Sequence, residues 1–199
     1  MKRNYSAAIK YIAKVAVLAA VSAILMLFEF PLWFAPGFYK LDLSETVILI
    51  GGFALGPAAG ALIELLKNLL NLLLNGTSTA FVGEFANFVT GCVFVLPAAF
   101  IYRRKKSLKS AIIGMVIGTV SLGIVGGFLN YFVLVPTYVE MYHLPLDTIV
   151  GMASAVNGAV TDLKSMIAFA VVPFNLVKGI ICSVLAGLLY KRVSKILHR

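Results

Sequence analysis

The chain has 199 residues, with Lys+Arg 17 against Asp+Glu 8, 61% hydrophobic and 13% charged. Soluble domains run near half apolar and a quarter charged, so a soluble enzyme, a disordered chain and a disulfide-stapled secreted domain are excluded. Mean hydropathy of +0.99 and a pI near 9.7 fit one integral membrane domain over 1–199. The placement of the positive charges argues for a bilayer as their partner and against nucleic acid.

Five apolar blocks follow in order: 6–28, 43–74, 79–102, 110–135 and 165–190. A helix needs about 20 residues to cross roughly 30 Å of hydrocarbon. The first block follows Lys2 and Arg3 like a signal peptide. It continues through Leu25–Phe28 without a small-residue cleavage site, which predicts a retained helix. The second block is too long for one helix and carries Gly56-Pro57. Proline lacks an amide donor and disfavours helix before it, which predicts a turn between a short helix 43–55 and a full one 57–74. The prediction is an all-α membrane protein with six transmembrane helices and a short second helix.

Charge checks the count independently. Thirteen of the 17 Lys/Arg lie in three clusters: Lys2, Arg3, Lys10 and Lys14; Arg103, Arg104, Lys105, Lys106 and Lys109; Lys191, Arg192, Lys195 and Arg199. The positive-inside rule places all three, and hence both termini, in the cytoplasm of a multi-pass cell-membrane protein. Four helices separate the first two clusters and two separate the last pair, as even crossings require. Were 43–74 a single helix, the first count would be three and the topology would contradict itself. Segments 29–42 and 136–164 then face outside, with Glu29, Asp42, Glu140, Asp147 and Asp162 against Lys40 and Lys164.

Polar side chains are costly in hydrocarbon, so their positions are informative. Glu64, Lys67, Asn68, Asn71 and Asn75 fall within roughly 60° of one line on their helix. That face is either an interhelical polar seam, with Glu64 and Lys67 neutralising each other, or the lining of a solute cavity. Glu84 and Asn87 follow at i, i+3, Asn130 lies near the outer end of 110–135, and Asn175 and Lys178 form another i, i+3 pair. Pro173 leaves the carbonyl of Phe169 without its usual amide, a local kink that would aim Asn175 and Lys178 inward. Lys178 could otherwise bond a carboxylate such as Glu84. Formal charges on Glu64, Glu84, Lys67 and Lys178 sum to zero, which suits a neutral ligand rich in donors and acceptors.

Segment 29–42, EFPLWFAPGFYKLD, fits an ordered external lid with an apolar underside. Ala16/Ala20 and Ala19/Ala23 repeat at i, i+4, as do Gly52/Gly56/Gly60, Gly114/Gly118 and Gly123/Gly127, spacings that permit close helix approach. The alanine surface could dock another membrane protein. Cys92 and Cys182 lie in apolar runs and read as free, buried thiols, and His143 and His198 as solvated imidazoles. No Walker-type phosphate loop is present. A pore or an intramembrane enzyme would need a continuous polar path or a paired nucleophile and base, and neither pattern appears.

The stretch KLDLSETVILIGGFALGPAAGALIELLKNLLNLLLNGTSTAFVGEFANFVTG, with FLNYFVLVPTY and PFNLVKG, resembles the riboflavin-specific S-components of energy-coupling factor (ECF) transporters, the RibU family, over nearly the whole chain. The resemblance implies a six-helix vitamin-binding subunit without enzymatic activity or cofactor. Such a subunit is driven by a membrane T-subunit and two cytoplasmic ATPases. It implies Asn130, Asn175 and Lys178 as riboflavin contacts and points to Leu41 and Asp42 on the covering loop. Thr79, Glu84 and Asn87 join the substrate-binding set, and Ala16, Ala19, Ala20 and Ala23 become the partner-docking set. An S-component for another vitamin is the alternative.

Overall fold

The computed structural model describes residues 2–77 and 79–197. His198 and Arg199, and the side chains of Lys2, Arg3, Lys191 and Lys195, lie outside the described residues. The elements are α1 (Lys2–Leu27), β1 (Phe30–Pro31), β2 (Lys40–Leu41), α2 (Ser44–Leu55), α3 (Pro57–Asn75), α4 (Val82–Arg104) and α5 (Leu108–Leu129). They continue as a π segment Asn130–Leu134, α6 (Val135–Tyr142), α7 (Leu146–Ser154), α8 (Leu163–Met166), a second π segment Ile167–Val171 and α9 (Val172–Leu197). The chain is an all-α membrane protein. Among the described residues, five helical stretches are long and apolar enough to cross a bilayer, and Ser44–Leu55 is a shorter apolar helix.

The predicted break at Gly56-Pro57 is present. Gly56 takes φ 101°, open to glycine without a Cβ penalty, and its amide closes α2 on the Gly52 carbonyl at 3.0 Å. Pro57 then starts α3, where its missing amide costs no intrahelical bond. The two helices form a tight hairpin: a Cβ on Gly60 would lie 3.4 Å from Gly52 Cα.

Both π segments precede a proline. Pro136 and Pro173 withhold the amides that Phe132 and Phe169 carbonyls would accept, and the chain answers with a wider turn: Val135 donates to Asn130 O and Val172 to Ile167 O. The freed Phe169 carbonyl instead accepts from Asn157 Nδ2 at 3.0 Å. Because the wide turn absorbs Pro136, the helix expected over 110–135 runs on to Tyr142, 35 residues in all. At 1.5 Å per residue it is roughly 50 Å long and projects beyond the hydrocarbon. Segment 136–164 is correspondingly helical in part, with Asp162 capping α8 through Ser165 N at 2.7 Å. These hydrogen bonds hold the exposed Asp162 carboxyl below its ordinary range. His143 takes a left-handed conformation after α6 and is exposed.

The main core joins α1, α2, α3, α4, α5 and α9 through residues such as Leu18, Ile48, Leu49, Ile63, Phe94 and Cys182. Phe53, Tyr102 and Tyr190 stack at 4.8–5.7 Å, and the two tyrosine hydroxyls meet at 3.0 Å. A second cluster (Val135, Ile149, Ala153, Met166) holds α7 and α8 beside α6. A third (Leu32, Ala35, Leu41, Phe174) lies under the β1–β2 hairpin.

Candidate ligand-binding site beneath the hairpin

Two buried polar groups occupy the bundle. In the first, Lys67 Nζ lies 2.7 Å from Glu64 Oε1 and 2.8 Å from Glu45 Oε1, and Asn68 Nδ2 donates to Glu64 Oε1 at 2.8 Å. All four are buried. Helix α4 reaches this group through Gly91, where a Cβ would fall 2.4–2.7 Å from the Glu64 carboxyl. The polar face of α3 is therefore sealed by α2 and α4 at Glu64, Lys67 and Asn68, the interhelical seam of the two alternatives. Buried charges persist when paired: Lys67 pairs one oxygen of each carboxylate, while Glu45 Oε2, Glu64 Oε2 and Asn68 Oδ1 are buried without a hydrogen-bond partner among the described residues. Farther along, Asn75 donates to Asn71 Oδ1 at 3.0 Å near the helix end. Glu45 was absent from the expected set; its signal was an acidic residue in the first turn of a short apolar helix.

The second group lies under the hairpin. Phe30 pairs with Leu41 and Pro31 with Lys40 in antiparallel register, and Lys40 Nζ–Glu29 Oε1 at 2.6 Å closes its open end. Within the loop, Ala35 N donates to Leu32 O and Tyr39 N to Pro36 O. Leu32, Ala35 and Leu41 turn inward onto Phe174, whereas Trp33, the single tryptophan, is 84% exposed. Segment 29–42 is thus an ordered cover with an apolar underside.

Beneath it, Asn130 Nδ2 donates to Gly126 O at 2.8 Å, and its Oδ1 accepts from the Tyr39 hydroxyl at 2.5 Å. Asn175 Nδ2 donates to Val171 O at 3.0 Å and packs on the other side of Gly126, where a Cβ would lie 2.7 Å from that nitrogen. One glycine on α5 therefore brings the two asparagines into one neighbourhood. Lys178 Nζ donates to Asp42 Oδ2 at 2.9 Å, and Asp42 Oδ1 accepts from the Ser44 amide at 2.8 Å and from the Ser44 hydroxyl. The carboxylate partner of Lys178 is Asp42 and not Glu84, because the hairpin delivers Asp42 against α9 at the entrance to α2. Burial alone would raise the Asp42 carboxyl; Lys178 and then Lys67 more than offset it and hold it well below the usual carboxylate range. Burial pushes the Tyr39 phenol above its ordinary value. Tyr39 was not in the expected set, although it stands in the aromatic-rich segment predicted as a lid.

The remaining expected residues make their contacts elsewhere. Thr79 Oγ1 donates to Glu84 Oε2 at 2.8 Å and accepts from Gly83 N at 3.0 Å, fastening the α3–α4 turn in which Ala80 and Phe81 take positive φ. Asn87 Nδ2 approaches Met26 Sδ at 3.7 Å. The alanine set on α1 divides: Ala19 and Ala23 are 1% and 2% exposed inside the bundle, and Ala16 and Ala20 lie on its outer face. Ala19 and Ala23 thus pack within the protein, because the i, i+4 rows they form with Val15 face α3 and α2 rather than a partner. Cys182 is buried, but Cys92 is only half-buried, on the outer flank of α4.

Residues 10–190 match the family described as ECF transporter, substrate-specific component. The chain is 38% identical over 190 residues to the Riboflavin transporter RibU of Staphylococcus aureus (strain TCH60), covering 96% of this chain and 93% of that protein. It is 31% identical over 189 residues to the Riboflavin transporter FmnP of Bacillus subtilis (strain 168), covering 94% and 93%. A solved S component of a bacterial ECF transporter superposes with a TM-score of 0.72 at 37% identity, covering 96% of this chain and 98% of that one. A covered, amide-lined end on an apolar helical bundle accords with that kinship, and the chain belongs to the substrate-specific components of ECF transporters.

Proposed function

We propose that this chain binds riboflavin in the outer end of the bundle, under the 29–42 hairpin, and delivers it through an ATP-driven ECF complex. The observation that carries this reading is the convergence of Asn130 and Asn175 on Gly126 beneath the cover, with Lys178 alongside. Carboxamides each offer a donor and an acceptor, matching the hydrogen-bonding edge of an uncharged flavin ring. Leu41 and Phe174 supply an apolar surface for the rest of the ring. Asp42 neutralises Lys178 and positions its ammonium. Thr79, Glu84 and Asn87 stand at the outer α3–α4 end as the remaining substrate-side residues. The relatives' description as riboflavin transporters supports the choice of vitamin.

The topology in this reading has six membrane-crossing helices, α2 being the short one. Both termini and the Arg103–Lys109 turn are cytoplasmic. The single membrane domain carries no ATPase of its own. It docks a T-subunit and two cytoplasmic ATPases, with Ala16 and Ala20 on the open face of α1 as contacts.

Titration of the purified protein with riboflavin, riboflavin phosphate, thiamine and biotin tests the assignment. Riboflavin is expected to quench flavin and Trp33 emission saturably at one per chain and to raise the melting temperature with concentration. No response to riboflavin together with stabilisation by another vitamin overturns it.

A further inference from the structure

An open apolar groove runs along the outer flank of α4 and α5, lined by Phe88, Cys92, Val93, Leu96, Ser121 and Val125 among others. These walls are half-buried. In a membrane protein a groove between two spans faces acyl chains. Its continuation is written into the helix period. On α4, Phe88, Cys92, Leu96, Phe100 and Arg104 succeed one another at i, i+4. On α5, Lys109, Ile113, Ile117, Ser121 and Val125 do the same. Phe100, Ile113 and Ile117 are exposed apolar residues, and Arg104 and Lys109 are exposed. Two apolar stripes on adjacent helices thus end side by side in two cations. Neighbouring Arg103 turns elsewhere, its guanidinium lying 3.9 Å from where a Gly56 Cβ would be, which leaves Arg104 as the basic end of the α4 stripe.

The structure assigns this groove, we propose, to one bound anionic glycerophospholipid. Its headgroup phosphate sits between Arg104 and Lys109, and one acyl chain lies along Phe100 and Leu96 to Cys92. Charge complementarity selects the occupant: an apolar trough alone would take any lipid, whereas paired cations at its mouth favour a phosphate bearing no compensating ammonium. The distances agree. At 1.5 Å per residue, Leu96 lies about 12 Å and Cys92 about 18 Å from Arg104 along the axis, near the roughly 15 Å depth of one leaflet.

Native mass spectrometry of the full chain, titrated with palmitoyl-oleoyl phosphatidylglycerol or phosphatidylcholine, tests this. The wild type is expected to retain one phosphatidylglycerol in preference. Arg104→Gln/Lys109→Gln should lose that preference by roughly ten- to thirtyfold, from the attraction of two basic residues near a membrane surface. Cys92→Phe and Ser121→Phe should each expel either lipid by filling the trough; monodisperse elution and an unchanged helical spectrum identify which variant is folded. Lys105→Gln/Lys106→Gln removes equal charge and should have the smaller effect. An equal loss from both charge pairs, no headgroup preference in the wild type, or retention in a folded groove-filled variant overturns the proposal. So does a dimer that the groove-filling change abolishes.

Discussion

Lys178 on α9 donates to Asp42 Oδ2 at 2.9 Å across 136 positions of chain, and so ties the end of the covering hairpin to the helix that carries Asn175. The pair is buried, which makes its loss asymmetric. Removing one partner leaves an unpaired charge in a dry site; removing both leaves none.

Asp42→Asn or Lys178→Met alone should therefore destabilise the protein by about 3–5 kcal/mol, and the double substitution by much less. Thermal unfolding in detergent, read as a double-mutant cycle, measures this. The pair also sets a pH dependence. The Asp42 carboxyl is depressed in the fold, so its contribution is complete above its unfolded value near pH 4 and is lost as pH falls through the folded value. Asp42→Asn should flatten the acid limb of the stability profile.

Asn130→Ala and Asn175→Ala should each weaken riboflavin binding by about 1–3 kcal/mol, since a ring donor or acceptor is left unmatched in a covered site. Flavin fluorescence titration reads the change. Unaltered affinity in both would remove the asparagines from the site.

Tyr39→Phe deletes the hydroxyl that links the hairpin to Asn130. A net hydrogen bond contributes about 1 kcal/mol. The cover should open more readily, and stopped-flow release of riboflavin should accelerate about fivefold with little change in melting temperature.

Gly126→Ala places a methyl group 2.7 Å from Asn175 Nδ2. Because that atom ends a side chain, Asn175 can rotate away, so the expected result is weakened binding with modest loss of stability. Gly118→Ala is the contrast: its Cβ would meet the Phe94 carbonyl oxygen, which cannot move without α4. Overpacking of that kind costs about 1–3 kcal/mol, and unfolding midpoints should separate the two variants.

Lys67→Met strands Glu45 and Glu64 together in the sealed seam. A stability loss of about 3–5 kcal/mol is expected. Riboflavin affinity of the folded fraction should stay near that of the wild type, which binding titration below the melting temperature checks.

Local chemistry made much of this readable from residues alone. Hydrophobic run length located the apolar helices, though not the extension of the fifth to Tyr142; Gly56-Pro57 split the second block because proline cannot continue a helix, and Pro173 announced the disturbed carbonyl of Phe169. Period placed Glu64, Lys67 and Asn68 on one face and Asn175 and Lys178 on another. What period cannot tell is which neighbour covers a face. That choice depends on helix rotation and on loops that bring distant residues together. Only the folded chain decided that Lys178 meets Asp42 and not Glu84, that Glu45 completes the Lys67 seam, that Tyr39 reaches Asn130, and that Ala19 and Ala23 turn inward while Ala16 and Ala20 remain outside. Each of these rests on packing between segments far apart in sequence, where burial of apolar surface, not local pattern, selects the partner.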